Sequence, residues 1–388
     1  MIPFSVKNGV RVNSANAFLG HQHRQDNVTV ATDALASRLA WAERGCIRVI
    51  GVEVLRAKQQ AMQPIVVHAK EEVILTAGAV QSPHLLLLSG VGPMSHLASL
   101  GIPVVQDLPA VGANLQDHSR VSCAVAINQE ILGQNQVLRD PRQLKEATAE
   151  YQSTHTGPLA FLGSSGAVLF PRLEGILRSH ETASLPHAKR KFIEATHRPT
   201  TEIWMTSMPV GLCSPDTSVL SLNGFCQNNL SRGSVRLSSR DPRQFPIVDP
   251  GYLSHGYDLR VAKETLREIL RLTETPSLLS IIESALLGPR SAHDQSKLAS
   301  SDADDTVLEN FVREHLSQGY HIMSTCVMGP STDPNRVVGP DFRVQGVQGL
   351  RVADLSVCPI LTSNHTQANA YLIGERYAEM IVADASKA

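Results

Sequence analysis

Short runs of β-branched and aliphatic residues bounded by polar ones alternate, along this chain, with stretches whose apolar residues recur at helical spacing. Val28-Thr29-Val30 leading into residues 34–38, then residues 47–54, read as strands joined around Arg44-Gly45. Residues 65–69 and 72–76 form a second β-branched pair, and the latter ends in Ala77-Gly78-Ala79. Small residues at the end of a buried strand let a ligand or a helix approach the backbone closely. Ser82-Pro83 supplies a cap and a helix-start proline for residues 85–88, and Gly90-Val91-Gly92-Pro93 stops that helix. From about 120 to 320 the texture changes. Strands at 218–222 and 233–237 alternate with loops, a helical run covers about 257–272, and 173–198 is charged and irregular, like a surface insertion. After 335 the α/β texture returns, with a strand at 350–352, Asp354, and a helix over about 367–384. In that helix Ala370, Ile373, Tyr377, Met380 and Ile381 recur on one face. One domain is thus discontinuous, with a β-rich domain inserted into it.

A chain of 388 residues suits two cores rather than one. Its formal net charge of −1 gives no basic field to attract nucleic acid or anionic lipid. The aliphatic run 85–88 is far short of the roughly 20 residues a membrane span needs. Met1-Ile2-Pro3-Phe4-Ser5-Val6-Lys7 has no charged start followed by an apolar run, so a cytoplasmic location is the expectation. The cysteines at 46, 123, 213, 226, 326 and 358 contain no C-x-x-C pair and read as free thiols. His21-x-His23 could chelate a metal or lie in a solvated loop, and no carboxylate or cysteine cluster accompanies it, so no metal is expected.

The candidate chemistry lies near the C-terminus. Gln318-Gly319-Tyr320-His321-Ile322-Met323-Ser324-Thr325-Cys326-Val327-Met328-Gly329 precedes Leu350-Arg351-Val352-Ala353-Asp354, and Thr362-Ser363-Asn364-His365-Thr366-Gln367 opens the last helix. His321 and His365, 44 positions apart, flank a strand that ends in an acid. Neutral imidazole, with an unperturbed pKa of about 6.5, suits removal of an alcohol proton near neutral pH.

These residues resemble the glucose-methanol-choline (GMC) family of FAD-dependent alcohol oxidoreductases. Gly78-Ala79-Val80-Gln81-Ser82-Pro83-His84-Leu85-Leu86-Leu87-Leu88-Ser89-Gly90-Val91-Gly92-Pro93 is similar to the family's second signature almost throughout. It continues into Leu100-Gly101-Ile102-Pro103-Val104 and Asp107-Leu108-Pro109-Ala110-Val111-Gly112-Ala113-Asn114-Leu115-Gln116-Asp117-His118, and the C-terminal block completes the match. Asn13-Ser14-Ala15 with Ala17-Phe18-Leu19 resembles the segment before the family's strand pair. The resemblance implies His321 as general base and His365 as hydrogen-bond partner of the substrate oxygen. It places Asp354 near the cofactor's ribityl-phosphate region, with a structural N-cap as the other reading. Asn364, Thr366 and Gln367 would open a helix whose positive end faces the flavin. Asn114 and His118 fall where the family touches the flavin, or else structure a loop, and Ala77 and Gly78 pack near the cofactor. Asn364-His365-Thr366 also fits a glycosylation sequon, which a site location discounts.

Two departures stand out. Ser324 occupies the position where the family usually has glycine. The G-x-G-x-x-G turn that holds the FAD pyrophosphate in family members has no counterpart here. The expected fold is therefore α/β plus α+β: an incomplete FAD-binding doubly wound domain (1–118 and 321–388) with an inserted antiparallel-sheet substrate domain (119–320). The expected function is oxidation of a small-molecule alcohol with FAD, often a task of secondary metabolism and directed at aryl, sugar or choline-like alcohols. A truncated, flavin-free, non-catalytic family member or gene fragment is the alternative. A separately encoded N-terminal complementing fragment, or a homo-oligomer, is the partner such a chain would need; a nicotinamide enzyme is disfavoured by the absent fingerprint.

Overall fold

The computed structural model describes residues 6–20, 27–43, 46–56, 63–128, 140–160, 165–206 and 217–386. Arg44-Gly45, His21, His23 and Cys213 lie outside the described residues. Two compact units share the chain: one gathers 1–29, 119–227 and 256–318, the other 30–118, 228–255 and 319–388. This differs from the expected three-part division at two segments. Residues 228–255 join the second unit because Leu115 and Gly233 exchange main-chain hydrogen bonds and Val235 N donates to Gly112 O at 2.7 Å. Residues 1–29 join the first, where Tyr151 Oη donates to Gly9 O at 3.2 Å.

The first unit is built on an antiparallel sheet in the order Ser165–Leu169, Thr201–Thr206, Val219–Cys226, Ser119–Ile127, Ile282–Leu287, with Ser317–Gln318 pairing the start of Ser119–Ile127. One face packs under the Gly256–Thr273 helix, whose buried Val261, Ala262, Thr265, Leu266, Ile269 and Leu270 follow the helical period. A Cβ on Gly224 would lie 2.3 Å from Thr265 Cγ2, so only glycine admits the helix this close. Register places Glu202, Phe225 and Arg120 in one cross-strand row and Trp204, Asn223 and Ser122 in the next, on the face away from that helix. Residues 173–198, read as an irregular insertion, instead form three short helices, Glu174–Leu177, His180–Ala183 and His187–Glu194, that bury Ile176, Thr182 and Ile193. Each is too short to show a helical period in the sequence.

In the second unit Ala34–Trp41, Val49–Arg56 and Ile65–His68 form an antiparallel three-stranded sheet, and Val73–Leu75 pairs in parallel with Leu350–Val352. Val28-Thr29-Val30, expected in a strand, lies outside any. Leu39, Val49, Leu75, Leu86, Leu350 and Val352 belong to one core. The Gln367–Ala385 helix buries Tyr377 against that core and packs Ile373, Met380 and Ile381 on it, while Ala370 is exposed. The helix after Val73–Leu75 runs Gly78–Leu88, five residues earlier than the Ser82-Pro83 start expected from sequence, so Pro83 is interior.

No helix among the described residues is long and apolar enough to cross a membrane. Cys46, Cys123, Cys226, Cys326 and Cys358 are free thiols, and no group of three or more His, Cys, Asp or Glu among the described residues could hold a metal ion.

Candidate active site

Gln116-Asp117-His118 organises the candidate site, which lies wholly in the second unit. Gln116 and Met323 exchange main-chain bonds of 3.1 and 2.9 Å. The Gln116 side chain accepts from Leu361 N at 3.1 Å and donates to Pro359 O at 3.4 Å, tying the approaches to both His321 and His365 to one residue. Asp117 is buried. Its Oδ1 accepts from His321 N at 2.7 Å; its Oδ2 accepts from Gly319 N at 3.2 Å and from the Tyr252 hydroxyl. Desolvation pushes the Asp117 carboxyl up, and donation by Tyr252 and the amides of His321, Gly319 and His118 opposes it. The carboxylate thus clamps the turn that carries His321.

Three imidazoles meet on this clamp. His118 Nδ1 lies 2.8 Å from His321 Nδ1, with the rings edge-on and 5.0 Å between centroids. His321 and His365 rings are 5.1 Å apart at a tilt of 51°. Burial, then the neighbouring His365, lowers the His321 pKa to about 4, and His118 is lowered by burial, then by His321 and His365. His321 is therefore neutral at neutral pH, the form that can take a proton.

A second group of expected residues meets at the ends of the parallel strands. Asp354 Oδ2 accepts from Gly78 N at 2.9 Å and Ser82 Oγ at 2.5 Å, while Oδ1 accepts from Ser356 N at 2.8 Å and caps a short 3-10 turn. Ala77 N donates to Ser82 Oγ at 3.1 Å. Ser82, read as a helix cap, is instead the link between this helix start and Asp354. Pro83 has no N–H to offer the carbonyl of Ala79 four residues back. Thr325 Oγ1 donates to that carbonyl at 2.7 Å, so the turn after His321 supplies the hydrogen bond the proline withholds.

Asn114 adopts φ +60° and donates through Nδ2 to Ser324 O at 3.4 Å. Ser324 is buried at φ +75°, the left-handed region that favours glycine. Asn364 Nδ2 donates to Asn369 Oδ1 at 2.9 Å, Thr366 is buried, and Gln367 is exposed at the first position of the helix. Sequence reasoning missed Gln116, Asp117, Tyr252 and Thr325 as supports. A carboxylate directly preceding a site histidine was the available signal for Asp117; Tyr252 had none.

These residues fit a bound flavin. Ser324 Oγ and Asn364 Oδ1 are buried polar atoms with no hydrogen-bond partner among the described residues, and buried polar groups normally have one. Gly78, at φ +81°, faces open space where a side chain would stand. The Gln367–Ala385 helix opens without a side-chain cap, leaving amides that favour an electron-rich group.

Comparisons with known proteins identify the family. GMC oxidoreductase family models match residues 1–120 and 229–374. The chain is 31% identical over 380 residues to an oxygen-dependent choline dehydrogenase of Pseudomonas aeruginosa, covering 96% of this chain and 60% of the relative. It is 29% identical over 391 residues to dehydrogenase eriK of Hericium erinaceus, covering 97% and 61%. Among solved structures, a formate oxidase superposes with a TM-score of 0.82 at 25% identity, covering 99% of this chain and 65% of that one. An FAD-dependent oxidoreductase from Chaetomium thermophilum gives 0.81 at 25% identity, covering 98% and 66%. The chain spans about 60% of the length of the curated relatives it matches. With both family models matched and the paired histidines placed side by side, the chain belongs to the GMC oxidoreductases, a family of FAD-dependent flavoproteins.

Proposed function

We propose that this protein oxidises the CH–OH group of a small alcohol with FAD as acceptor, His321 being the general base. The observation that carries this reading is the contact between His321 and His365, 5.1 Å between ring centroids, on a turn fixed by the Asp117 carboxylate. Bound FAD supplies the acceptor for the hydride that leaves the carbinol carbon.

His321 Nδ1 pairs with His118 Nδ1, and the hydroxyl proton is assigned to the other ring nitrogen, Nε2. Its lowered pKa keeps the ring neutral at neutral pH, so one of its nitrogens carries a free lone pair. His365 beside it is the hydrogen-bond donor to the substrate oxygen, stabilising negative charge as the proton leaves. Ala77, Gly78, Asn114, Asp354, Asn364, Thr366 and Gln367 are assigned to holding FAD: Gly78 by close approach, Asp354 by keeping the strand-to-helix turn in place, Asn364 through its unpartnered oxygen, and Thr366 and Gln367 through the helix N-terminus.

The test is flavin reduction in the FAD-loaded protein mixed anaerobically with alcohols, choline first because the Pseudomonas relative is named for it. His321→Ala should slow reduction by at least about 10²-fold, the usual contribution of a general base. An unchanged rate would sink the assignment.

A further inference from the structure

His118 lies outside the pair of histidines assigned to the reaction, yet its ring is hydrogen-bonded to the ring of the base. It is fully buried, and its Nδ1 approaches His321 Nδ1 to 2.8 Å. Two nitrogens this close share one proton: one ring donates and the other accepts. The approach is built into the backbone. Gly319, two residues before His321, packs so tightly on His118 that a Cβ there would stand 2.4 Å from His118 O and 2.9 Å from His118 Cβ. Asp117, adjacent to His118, takes the amides of both Gly319 and His321. The main chain and the ring of His321 are thus held by two consecutive residues.

We propose that His118 is a positioning residue for His321, accepting the Nδ1 proton of His321 at its own Nδ1 and so fixing the tautomer whose Nε2 lone pair faces the substrate. This rests on the reading of His321 as the base. The opposite arrangement, with His118 donating, would put the remaining proton of neutral His321 on Nε2, where it could not accept another. The hydrogen bond at one imidazole nitrogen decides the protonation of the other. The proposed tautomer leaves the proton of His118 on Nε2, an atom with no hydrogen-bond partner among the described residues. Among the described residues, the side-chain hydrogen bond that orients the His118 ring is the one to His321.

The test reads the tautomer directly. The full chain is labelled with 15N-histidine, and the His321 ring signals are identified by their loss in His321→Ala. Long-range 1H–15N spectra at neutral pH should show His321 protonated at Nδ1. In His118→Asn the amide oxygen stands close to the place of Nδ1, and the His321 tautomer should persist. In His118→Phe and His118→Gln, which offer no acceptor there, His321 should shift toward the Nε2-protonated form that free imidazole side chains prefer in water. In the FAD-loaded protein, flavin reduction should fall at least about 10-fold in His118→Phe and His118→Gln and recover in His118→Asn. Nε2-protonated His321 in the unsubstituted chain, or a tautomer unchanged in His118→Phe and His118→Gln, overturns the proposal. Loss of reduction in His321→Ala with full rates in the His118 variants would defeat this inference while leaving the base assignment standing.

Discussion

Replacing Ser324 by glycine should make the protein more stable, although glycine substitutions usually do the reverse. Ser324 has φ +75°, where an L side chain costs roughly 1–2 kcal/mol. Its Oγ is buried without a partner among the described residues, a loss of about 1–3 kcal/mol when such a group leaves water. Against these stand the extra chain entropy of glycine, about 0.5–1 kcal/mol, and the few contacts of one Cβ and one hydroxyl. The balance favours Ser324→Gly by about 1–2 kcal/mol. For a unit of this size that is roughly a 2–8 °C rise in thermal midpoint, read by far-ultraviolet circular dichroism. Ser324→Ala separates the two contributions, since it removes the hydroxyl and keeps the strained backbone; its gain should be smaller. A Ser324→Gly protein no more stable than its parent would refute both the strain and the orphaned hydroxyl as costs. Addition of FAD should then diminish the advantage of the variant, because the ligand offers the hydroxyl a partner.

Three other perturbations test the scaffold. Asp354→Ala leaves Gly78 N and Ser356 N without their acceptor and should cost about 3–5 kcal/mol in urea unfolding; a loss below about 1 kcal/mol would deny Asp354 its place as the tie between strand and helix. Tyr252→Phe removes a donor to a buried carboxylate, should cost about 1.5–3 kcal/mol, and should push the Asp117 pKa further up, measurable by carboxyl-carbon nuclear magnetic resonance; an unmoved resonance would contradict the clamp. Acid should weaken the fold through His321. Its folded pKa of about 4 lies below the ordinary 6.5, so between these values the unfolded chain binds a proton that the folded chain refuses. Stability is complete above the ordinary value and declines as pH falls toward about 4, by roughly 3 kcal/mol for this group. His321→Gln should flatten that decline, and a pH slope identical in the variant would count against the buried neutral ring.

Much of the site was legible because its residues lie in contiguous runs. The strand and acid at 350–354 and the final helix could be placed from local pattern, a period of 3.6 surviving over the Gln367–Ala385 helix, while His321 and His365 were singled out by the motifs that resemble the family. The start of the Gly78–Leu88 helix was not legible. Ser82-Pro83 has the chemistry of a helix start, but the tertiary partners Asp354 and Thr325 satisfy what an interior proline leaves open. Those partners are more than 240 positions away in sequence, beyond the reach of any local pattern. The support of His321 was hidden for the same reason: Tyr252 reaches Asp117 across 135 positions with no motif around it. Residues 173–198 misled in the opposite sense, their charge concealing the buried anchors Ile176, Thr182 and Ile193 that pack them.

A visible absorbance titration decides whether these residues form a flavin site in which His321 takes the alcohol proton. The purified 388-residue chain is examined before and after addition of FAD, then after anaerobic addition of alcohol. A flavin site of this kind gives a perturbed, protein-bound flavin spectrum that bleaches with alcohol in the unsubstituted chain and stays oxidised in His321→Ala. Free-flavin spectra throughout, even with excess FAD, would contradict it.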